Sequence, residues 1–526
     1  MKIKIIAILI CTLFIASAAL PATGNILKID NKEASGICST RDLNLDLAVT
    51  NAFENKVKIF LGDGSGDFNI KGNFPVGNFP VGITDGDFNL DGVLDIAVTD
   101  YDDFNVSLLL GDGSGNFINV GSYRVETQPV GIIGEDFNSD GNFDIAVANS
   151  GTFKISVLLG NGAGGFLPQQ TFSIGDGPVD LCKGLFNEDE NIDIVGANLD
   201  ANSVGVLTGD GAGGFVLSQT IYLGEDYKPF AITNADFNKD GFMDVTIASG
   251  TYPYVGVLLG NGTGGFSPLQ NFTVGYGSER FDIISEDFNG DGNPDIAVPN
   301  TDNDTISVLL GDGSGGFQPH QTFVVGDYPA GICGGDFNSD GNCDVAVTNA
   351  FDSTLSILIG DGAGGFGAQK VYSAGDGPVG ILSGNFDYKP EADLECNGSF
   401  HWRKIKPGDQ IIDEFTIGNM GTEGSVLDWQ IESYPNWGSW NFSETSGNLP
   451  EGEWKGIQVF VEAPNEPKTD FSGKIKIVNV DDPSDSCEID VILETPRSKG
   501  ILETLLNLIL ERFPNAFPIV RWLSEI

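Results

Sequence analysis

The sequence has few of the residues that catalysis and nucleic-acid binding most often use. Only 2 histidines, His320 and His401, occur in 526 residues, which leaves little room for histidine-based catalysis or zinc sites. Lysine and arginine number 27 against 74 acidic residues, so the net charge is −47. Binding to a nucleic-acid backbone needs a basic face, so no nucleic-acid partner is expected. The acidic excess favours bound cations or solubility in salty surroundings.

Long apolar runs are also scarce, and the clearest one lies near the N-terminus. Lys2 and Lys4 precede the run from Ile5 to Ile15, and Ala16-Ser17-Ala18 offers a small-x-small cleavage site. The run is shorter than the ~20 residues of a membrane span, which disfavours the alternative of a membrane anchor. The sequence therefore predicts a signal peptide at residues 1–18 and a secreted or cell-surface, extracellular protein.

Glycine, by contrast, is abundant at 72 residues, and much of it belongs to one repeated phrase. Successive copies begin 49, 49, 49, 51, 51 and 49 residues apart. The seven copies are Ile59–Phe68, Leu108–Phe117, Val157–Phe166, Val206–Phe215, Val257–Phe266, Val308–Phe317 and Ile357–Phe366. A fixed period of about 50 residues is the sign of a repeat architecture.

Each repeat has the pattern of four short strands. Runs rich in β-branched residues are bounded by glycine, asparagine and aspartate, and helical periodicity is absent. Four strands in about fifty residues are typical of one β-propeller blade. We therefore predict an all-β fold, a seven-bladed β-propeller followed by a smaller β-sandwich and a short C-terminal helix. Either Ala34–Cys38 or Pro378–Leu382 could supply the extra first strand that closes the ring.

A nine-residue phrase, Asp-Phe-Asn-x-Asp-Gly-x-x-Asp, recurs with the same period. Positions 1, 3, 5 and 9 offer side-chain oxygens, position 7 offers a backbone carbonyl, and the glycine at position 6 permits a sharp turn. Five copies are complete, and their predicted ligands at positions 1, 3, 5, 7 and 9 are Asp87, Asn89, Asp91, Val93 and Asp95; Asp136, Asn138, Asp140, Asn142 and Asp144; Asp236, Asn238, Asp240, Phe242 and Asp244; Asp287, Asn289, Asp291, Asn293 and Asp295; and Asp336, Asn338, Asp340, Asn342 and Asp344.

Oxygen-only donors at this spacing favour calcium over magnesium, and we expect about five calcium ions. The alternative is a metal-free turn between two strands. Five copies in register disfavour that alternative, because three carboxylates in nine residues repel one another without a cation. Two repeats depart from the phrase, and we expect weak or absent calcium binding in both. The fourth repeat has Leu185 and Glu190 at positions 1 and 6, and the first repeat keeps only Asp42, Asn44 and Asp46.

These phrases together resemble FG-GAP repeats, such as those of integrin α-subunit propellers and VCBS-type repeat proteins of microbial surfaces. The resemblance covers roughly residues 34–393. It implies a seven-bladed propeller with calcium held between the first and second strands of its blades, and a protein that binds proteins or glycans. No inserted ligand-binding domain interrupts the repeats.

The composition changes near residue 394, where a second domain is predicted. All 6 tryptophans follow residue 400, and strand-like runs extend to Leu493. We predict a signal peptide at 1–18, the propeller at 27–393, an immunoglobulin-like β-sandwich at 394–496 and a helical tail at 497–526. Cys396 and Cys487 are the only cysteines of this sandwich, which predicts a disulfide in an exported protein, with two buried thiols as the alternative. The tryptophans could be core residues or a sugar-stacking platform.

The predicted tail contains an apolar helical segment, residues 501–510, followed by two phenylalanine-proline steps. It is too short to span a membrane. It could dock on the sandwich, lie at a membrane interface, or bind a partner. Peripheral membrane or envelope association through the tail is therefore an expected possibility.

The function that these features favour is an adhesion or binding module for an unknown surface protein or glycan. The loops between second and third strands differ between repeats and carry aromatic residues that could contact a ligand or fold onto the rim: Phe53, Tyr101, Phe104, Phe153, Tyr252, Tyr254 and Phe351. A structural surface-layer or matrix component is the alternative, and a polysaccharide-active enzyme is a weaker one. We expect no enzyme, because the carboxylates belong to the loops and no serine-hydrolase, zinc-protease or phosphate-loop motif is present.

Overall fold

The computed structural model describes residues 44–276, 281–388, 392–422, 424–466 and 469–495. The chain divides into two compact units, Met1–Lys389 and Pro390–Ile526. The described residues contain strands, turns and bends without an α-helix, and none of their segments is a helix able to cross a bilayer. The predicted signal peptide, the possible closing strand at 34–38 and the helical tail all lie outside the described residues. The predicted domain boundaries stay predictions.

The first unit consists of short strands in a repeating order. The bounds of its strands are β1 (Asp46–Asn51), β2 (Lys56–Gly62), β3 (Phe68–Pro75), β4 (Pro80–Gly86), β5 (Asp95–Asp100), β6 (Asn105–Gly111), β7 (Phe117–Arg124), β8 (Pro129–Glu135), β9 (Asp144–Asn149), β10 (Lys154–Leu158), β11 (Gln170–Ser173), β12 (Pro178–Gly184), β13 (Asp193–Asn198), β14 (Ser203–Gly209), β15 (Phe215–Tyr222), β16 (Pro229–Ala235), β17 (Asp244–Ser249), β18 (Tyr254–Leu258), β19 (Gln270–Thr273), β20 (Ile284–Glu286), β21 (Asp295–Asn300), β22 (Thr305–Leu309), β23 (Gln321–Val324), β24 (Pro329–Gly335), β25 (Asp344–Asn349), β26 (Thr354–Leu358), β27 (Lys370–Ser373) and β28 (Pro378–Gly384).

These strands form seven four-stranded antiparallel sheets within the described part of the first unit. Six sheets use four consecutive strands, from β4–β7 to β24–β27. The first strands of neighbouring sheets contact one another in the cycle β28, β4, β8, β12, β16, β20, β24 and back to β28. Four-stranded sheets arranged in a closed cycle around an axis are the architecture of a β-propeller.

The remaining sheet joins the two ends of the first unit. Its order is β28-β1-β2-β3, with β28 antiparallel to β1. Of the two segments that the sequence offered for closure, residues 378–384 therefore supply the innermost strand. Because the partner strand lies more than 300 residues away, sequence pattern alone could not decide between them.

Burial changes regularly across each sheet. The second strand is buried along its length, as in β5, because sheets cover both of its faces and its side chains are mostly Ile, Val and Ala. The fourth strand, such as β7, is largely exposed. At each metal-loop phrase a buried phenylalanine packs edge-on against the phenylalanine of the next glycine-rich turn, as Phe88 does against Phe166 at 5.3 Å. These rings therefore fasten neighbouring sheets to each other.

The second unit contains two sheets around one core. Its strands are β29 (Leu394–Asn397), β30 (Phe400–Arg403), β31 (Gln410–Asn419), β32 (Val426–Ser433), β33 (Ser439–Phe442), β34 (Ser446–Pro450), β35 (Trp454–Glu462), β36 (Asp470–Asn479) and β37 (Ser486–Glu494). One sheet has the order β29-β31-β35-β33 and the other β30-β37-β36-β32-β34. Side chains of both sheets share a core that includes Trp429, Phe415 and Ile489.

Candidate metal loops and candidate ligand face

The five complete loops have the same internal hydrogen bonds. In the first of them, Asp87 accepts the backbone N–H groups of Asp91 at 3.0 Å and Gly92 at 2.8 Å. Gly92 has φ +79°, a left-handed conformation that glycine adopts without a steric penalty. The first aspartate thus wraps the backbone around its own carboxylate, as the sequence predicted for the glycine at position 6.

The middle positions of each loop also accept backbone N–H groups. Asn89 Oδ1 accepts the N–H of Asp91 at 3.1 Å, and its Nδ2 donates to Asp91 Oδ2 at 2.9 Å. Asp91 Oδ1 accepts the N–H of Val93 at 2.9 Å. The other four loops repeat these bonds, as the corresponding contacts of Asp140, Asp240, Asp291 and Asp340 show.

The ninth position is a buried carboxylate. Asp95 accepts the N–H groups of Phe88 at 3.0 Å and Gly111 at 2.8 Å. Burial, followed by the charges of Asp91 and Asp87, raises the pKa of Asp95 to about 8. The same causes raise the pKa to about 7 for Asp144, Asp244, Asp295 and Asp344. A neighbouring cation would offset this cost of holding a buried negative charge.

The side chains of these loops fit calcium in number and kind. Each loop has three carboxylates, one amide oxygen and one available carbonyl, all hard oxygen donors. Within the described ranges, however, no group of three or more His, Cys, Asp or Glu side chains is close enough to hold a metal. The carboxylates instead accept backbone N–H groups, although most of their oxygens keep a second lone pair. Calcium binding by the five loops therefore stays a prediction.

The fourth repeat of the first unit departs from this pattern, as the sequence indicated. Leu185 supplies no oxygen at position 1, and Glu190 occupies the glycine position with φ +63°. Asp193 still accepts the N–H groups of Phe186 at 3.2 Å and Gly209 at 3.0 Å. The backbone scaffold therefore persists where the first ligand is missing, and weak or absent binding here stays the expectation.

The end of the sheets opposite to the metal loops carries the connections between second and third strands and between successive sheets. The predicted aromatic residues lie there in different environments. Tyr101 is buried, whereas Phe153 and Phe351 are 59% and 47% exposed. Tyr252 stacks on Tyr254 at 5.4 Å, and the Arg124 guanidinium lies 5.4 Å from the Phe104 ring. Exposed rings and rings folded onto the rim both occur, and ligand contact by the exposed rings stays a prediction.

Two further aromatic residues on this end were not singled out by sequence reasoning. Phe79 and Tyr328 precede the first strands of their sheets and have φ +57° and +59°. Gly177 and Gly377 occupy the same register with positive φ. Gln128 and Lys228 hold the same position with φ +57° and +53°, so the fold imposes this conformation, and a bulky residue there carries backbone strain that glycine avoids. Aligning the seven repeats on this position would have revealed the contrast.

Tyr328 and Phe351 form a parallel stack with ring centroids 4.1 Å apart and planes 7° apart. Carboxylates border the stack. Asp304 accepts the N–H of Tyr328 at 3.3 Å, and Asp352 accepts the N–H of Asp327 at 2.8 Å. Burial, followed by the charges of Asp304 and Asp352, raises the pKa of Asp327. This part of the surface combines an exposed aromatic face with concentrated negative charge.

The tryptophans of the second unit are divided between core and surface. Trp429 is fully buried, and Trp402 is buried while its Nε1 donates to Asp413 at 2.8 Å. Trp437 and Trp440 are partly buried, with ring centroids 5.2 Å apart. Trp454 is exposed, and Trp522 lies outside the described residues. Core packing therefore accounts for part of the set, and a sugar-stacking role stays untested.

Cys396 and Cys487 are joined by a disulfide in this unit, with Cα atoms 5.9 Å apart and a sequence separation of 91. The bond connects β29 to β37, which belong to different sheets. In the first unit, the described cysteines Cys182 and Cys333 are buried and free, and Cys343 is buried. The disulfide therefore links the two sheets of the second unit covalently.

Comparison with known proteins supports the repeat and the fold. Residues 186–247 and 287–347 match the FG-GAP-like repeat family. No curated protein matches the chain. A protein from Lactobacillus plantarum is similar in structure, with 14% identity, a TM-score of 0.52, and coverage of 65% of this chain and 99% of its own. The chain therefore contains FG-GAP-like repeats on a β-propeller fold.

Two other similar structures bear on the expectation that the chain is not an enzyme. A candidate 6-phosphogluconolactonase from Bacteroides uniformis has 11% identity and a TM-score of 0.54, covering 65% of this chain and 100% of its own. A periplasmic gluconolactonase from Pseudomonas aeruginosa has 16% identity and a TM-score of 0.50, covering 65% and 99%. That expectation is corrected: enzymes are described on this fold, so the absence of familiar catalytic motifs does not exclude catalysis.

Proposed function

We propose that this chain is an exported, calcium-binding β-propeller that acts as a binding or adhesion module for a surface protein or glycan. In this proposal the seven four-stranded sheets are seven blades, and the five complete loops hold calcium on one face. The opposite face binds the ligand. The second unit is an accessory immunoglobulin-like domain, and the tail provides peripheral attachment to the envelope.

The observation that carries the ligand-binding part is the aromatic rim. Phe153 and Phe351 are large, exposed rings on loops that are held in place by a rigid scaffold. Tyr328 is fixed beneath Phe351 by a strained backbone. Exposed aromatic residues on a pre-organised surface supply contact area at low entropic cost, and such residues dominate binding energy at interfaces.

The calcium part is supported by the five loops with identical donors and bonds. In each loop the aspartate at position 1 accepts the backbone N–H of the glycine at position 6. These hydrogen bonds hold the wrapped backbone in place before any metal binds. Calcium would neutralise part of the loop charge and stiffen the face opposite to the ligand. Its place in function is therefore stabilising, and ligand contact belongs to the aromatic rim.

The ligand face is tested with one double variant and one matched control. Phe153→Ala with Phe351→Ala removes both exposed rings, whereas Ile118→Ala with Val216→Ala removes two side chains of similar exposure, 69% and 68%, from fourth strands. Binding to a glycan array and to isolated envelope protein is measured for both. We expect the rim variant to bind at least about tenfold more weakly, in line with a lost interface hot spot, and the control to bind normally.

The outcomes also separate the alternative of a structural surface-layer component. Equal binding by the rim variant and the control would contradict the proposed ligand face. Self-assembly of the wild-type chain without binding to any glycan or envelope protein would favour the structural role instead. Turnover of a polysaccharide or lactone in the same samples would identify an enzyme.

A further inference from the structure

The fourth strand of each sheet in the first unit has one edge without a neighbouring strand in the part of the chain that the structure describes. Such an edge presents backbone N–H and C=O groups that can pair with another chain. The fourth strands of the third, fifth, sixth and seventh repeats have only four residues. By contrast, β3, β7 and β15 have eight residues each. A partner strand would therefore find the longest edges in the first, second and fourth repeats.

Almost all of these edges carry a residue that discourages pairing. Proline removes a backbone donor, and a charged side chain on an edge opposes contact with another strand. One strand, β15 (Phe215–Tyr222), has no proline, no glycine and no charged residue. The other fourth strands contain, or begin within two residues of, a proline or a charged residue: Lys71, Pro75, Arg124, Pro168, Pro268, Pro319 and Lys370.

The side chains along β15 are also uncharged and largely exposed. Val216, Leu217 and Tyr222 are 68%, 41% and 65% exposed. Thr220 is exposed as well. A long, neutral edge with exposed apolar side chains is the kind of strand that pairs with another chain. The fourth repeat therefore has a pairing surface that the other repeats lack.

The backbone groups of β15 alternate between its neighbour β14 and the open edge. Leu223, directly after β15, donates its N–H to the carbonyl of Asn202 at 2.9 Å. Hydrogen-bonded and non-hydrogen-bonded pairs alternate along an antiparallel ladder. Tyr222 and Thr220 therefore direct their N–H and C=O groups to the open edge, whereas Ile221 bonds to β14. This stretch lies beyond the bulge of β15, in regular register.

We propose that two copies of this chain associate through the β15 edge, with the two strands antiparallel about a two-fold axis at Ile221. Thr220 of one copy exchanges backbone hydrogen bonds with Tyr222 of the second copy, and the axis repeats the exchange. The same register places the Tyr222 ring across from Thr220 of the second copy, a cross-strand contact that adds to the pairing. This inference depends on neither the calcium nor the ligand of the proposed function.

The charge of the chain favours a second copy as the occupant. Two copies that each carry −47 repel one another over most of their surfaces, so a contact between them needs a neutral strip. A basic partner would instead bind to carboxylates, and β15 offers none. The contact is also self-limiting, because a two-fold axis uses the β15 edge of both copies and assembly stops at a dimer.

The test uses the full chain and variants that copy residues found at the same register of a sibling strand. Tyr222→Pro copies Pro75 of β3 and removes one outward N–H from each copy. Ser218→Lys copies Lys71 of β3 and places like charges on the shared edge. The matched control is Val120→Lys, which makes the same change in charge at the same register of β7. Because β3 already contains both introduced residues, this strand type accommodates them.

Sedimentation equilibrium measures the dimer dissociation constant at about 0.05 M and about 0.5 M sodium chloride, a range over which salt screens surface charge. We expect wild-type dimers that are tighter at the higher salt concentration. Tyr222→Pro and Ser218→Lys should each weaken the dimer at least about tenfold, and Val120→Lys should match the wild type. Hydrogen exchange at the Thr220 amide should slow on dimerisation, while the Ile221 amide, already bonded to β14, serves as the internal reference.

Every other outcome overturns the proposal. A wild-type chain that stays monomeric at every concentration and salt level has no such contact. Dimers that neither β15 variant weakens use another surface, and dimers that Val120→Lys weakens equally depend on net charge alone. Assemblies larger than a dimer contradict a closed two-fold contact. Ligand binding by the aromatic rim is measured separately on the same variants, so failure of the dimer leaves the proposed function standing.

Discussion

The two units of the chain differ in whether the polar side chains that they bury can carry a charge. Among the described residues, the first unit buries twelve aspartates: Asp46, Asp85, Asp95, Asp100, Asp144, Asp180, Asp193, Asp244, Asp282, Asp295, Asp336 and Asp344. The described part of the second unit buries only uncharged polar side chains, such as Asn419 and Ser425, around an aromatic and aliphatic core. Burying a carboxylate is costly unless it is paired or neutralised. The stability of the first unit should therefore depend on cations and pH, and that of the second on packing and its disulfide.

Backbone strain follows the same division. Fifteen non-glycine residues of the described first unit have positive φ, whereas Lys404 is the one such residue in the described second unit. Most of the fifteen lie in repeated turns or metal loops, where the fold imposes the conformation on whatever residue is present. The repeated scaffold therefore contains local backbone strain at many positions, whereas the described part of the second unit has little such strain.

Removing calcium is the change that should separate the stabilities of the two units most strongly. One site adds about 2.7 kcal/mol at a calcium concentration one hundred times its Kd, so five sites could match the whole net stability of a domain, ~5–15 kcal/mol. We expect chelation to lower the larger calorimetric transition by on the order of ten degrees or more. The smaller transition should stay in place. Equal behaviour with and without chelator would make the loops ordinary acidic turns.

Cleaving the disulfide should produce the converse result. Cys396 and Cys487 lie 91 positions apart in sequence, and closing a loop of that length stabilises a domain by about 5 kcal/mol in the chain-entropy model. Cys396→Ser with Cys487→Ser should lower the smaller transition and leave the larger one unchanged. A mass spectrum of a non-reducing digest provides the control, because both thiols found free in wild-type protein would remove the basis of the prediction.

Much of the repeat architecture could be predicted from the sequence, because local chemistry repeats at a fixed period. The phrase from Asp87 to Asp95 specifies its own turn, and runs of β-branched residues around it specify the strands. The closure of the ring could not be predicted, since β28 and β1 pair across more than 300 residues and no local pattern marks them as partners.

Burial of individual aromatic residues was also beyond sequence reasoning. Tyr101 and Phe351 occupy similar loops, yet Tyr101 is buried and Phe351 is largely exposed. The difference arises from neighbouring rings, since Tyr101 packs against Phe79, while Phe351 covers Tyr328 from outside. The enzyme expectation failed for another reason, because the absence of familiar motifs says little about a fold that supports several functions.

A single buried carboxylate, Asp100, should make the stability of the first unit depend on pH, and this is the smallest effect that we expect. Asp100 ends the second strand of its sheet, a position that the other repeats fill with neutral residues: Asn51, Asn149, Asn198, Ser249, Asn300 and Asn349. Its Oδ2 accepts the hydroxyl of Ser107 at 2.7 Å, while its Oδ1 is buried without a partner. In a sibling repeat, Asn149 Nδ2 donates to the equivalent Ser156 at 3.0 Å.

Burial, followed by the charge of Asp103, raises the pKa of Asp100 from 3.8 to about 7. The folded state therefore binds this proton more tightly than the unfolded chain, so the free energy of unfolding falls as pH rises from about 4 to about 7 and the loss is complete above that range.

Asp100→Asn introduces the amide that most of the other repeats have at this position, and it removes this loss of stability at high pH. At pH 8 we expect the variant to be more stable than wild type by ~1–3 kcal/mol, and at pH 4 the two should be nearly equal. Asp176→Asn, at an exposed position in another repeat, is the control, and chemical denaturation across this pH range makes the measurement. A constant difference between Asp100→Asn and wild type at every pH would show that Asp100 does not titrate in this window, and the buried carboxylates of the repeat would then have to be neutralised by other means.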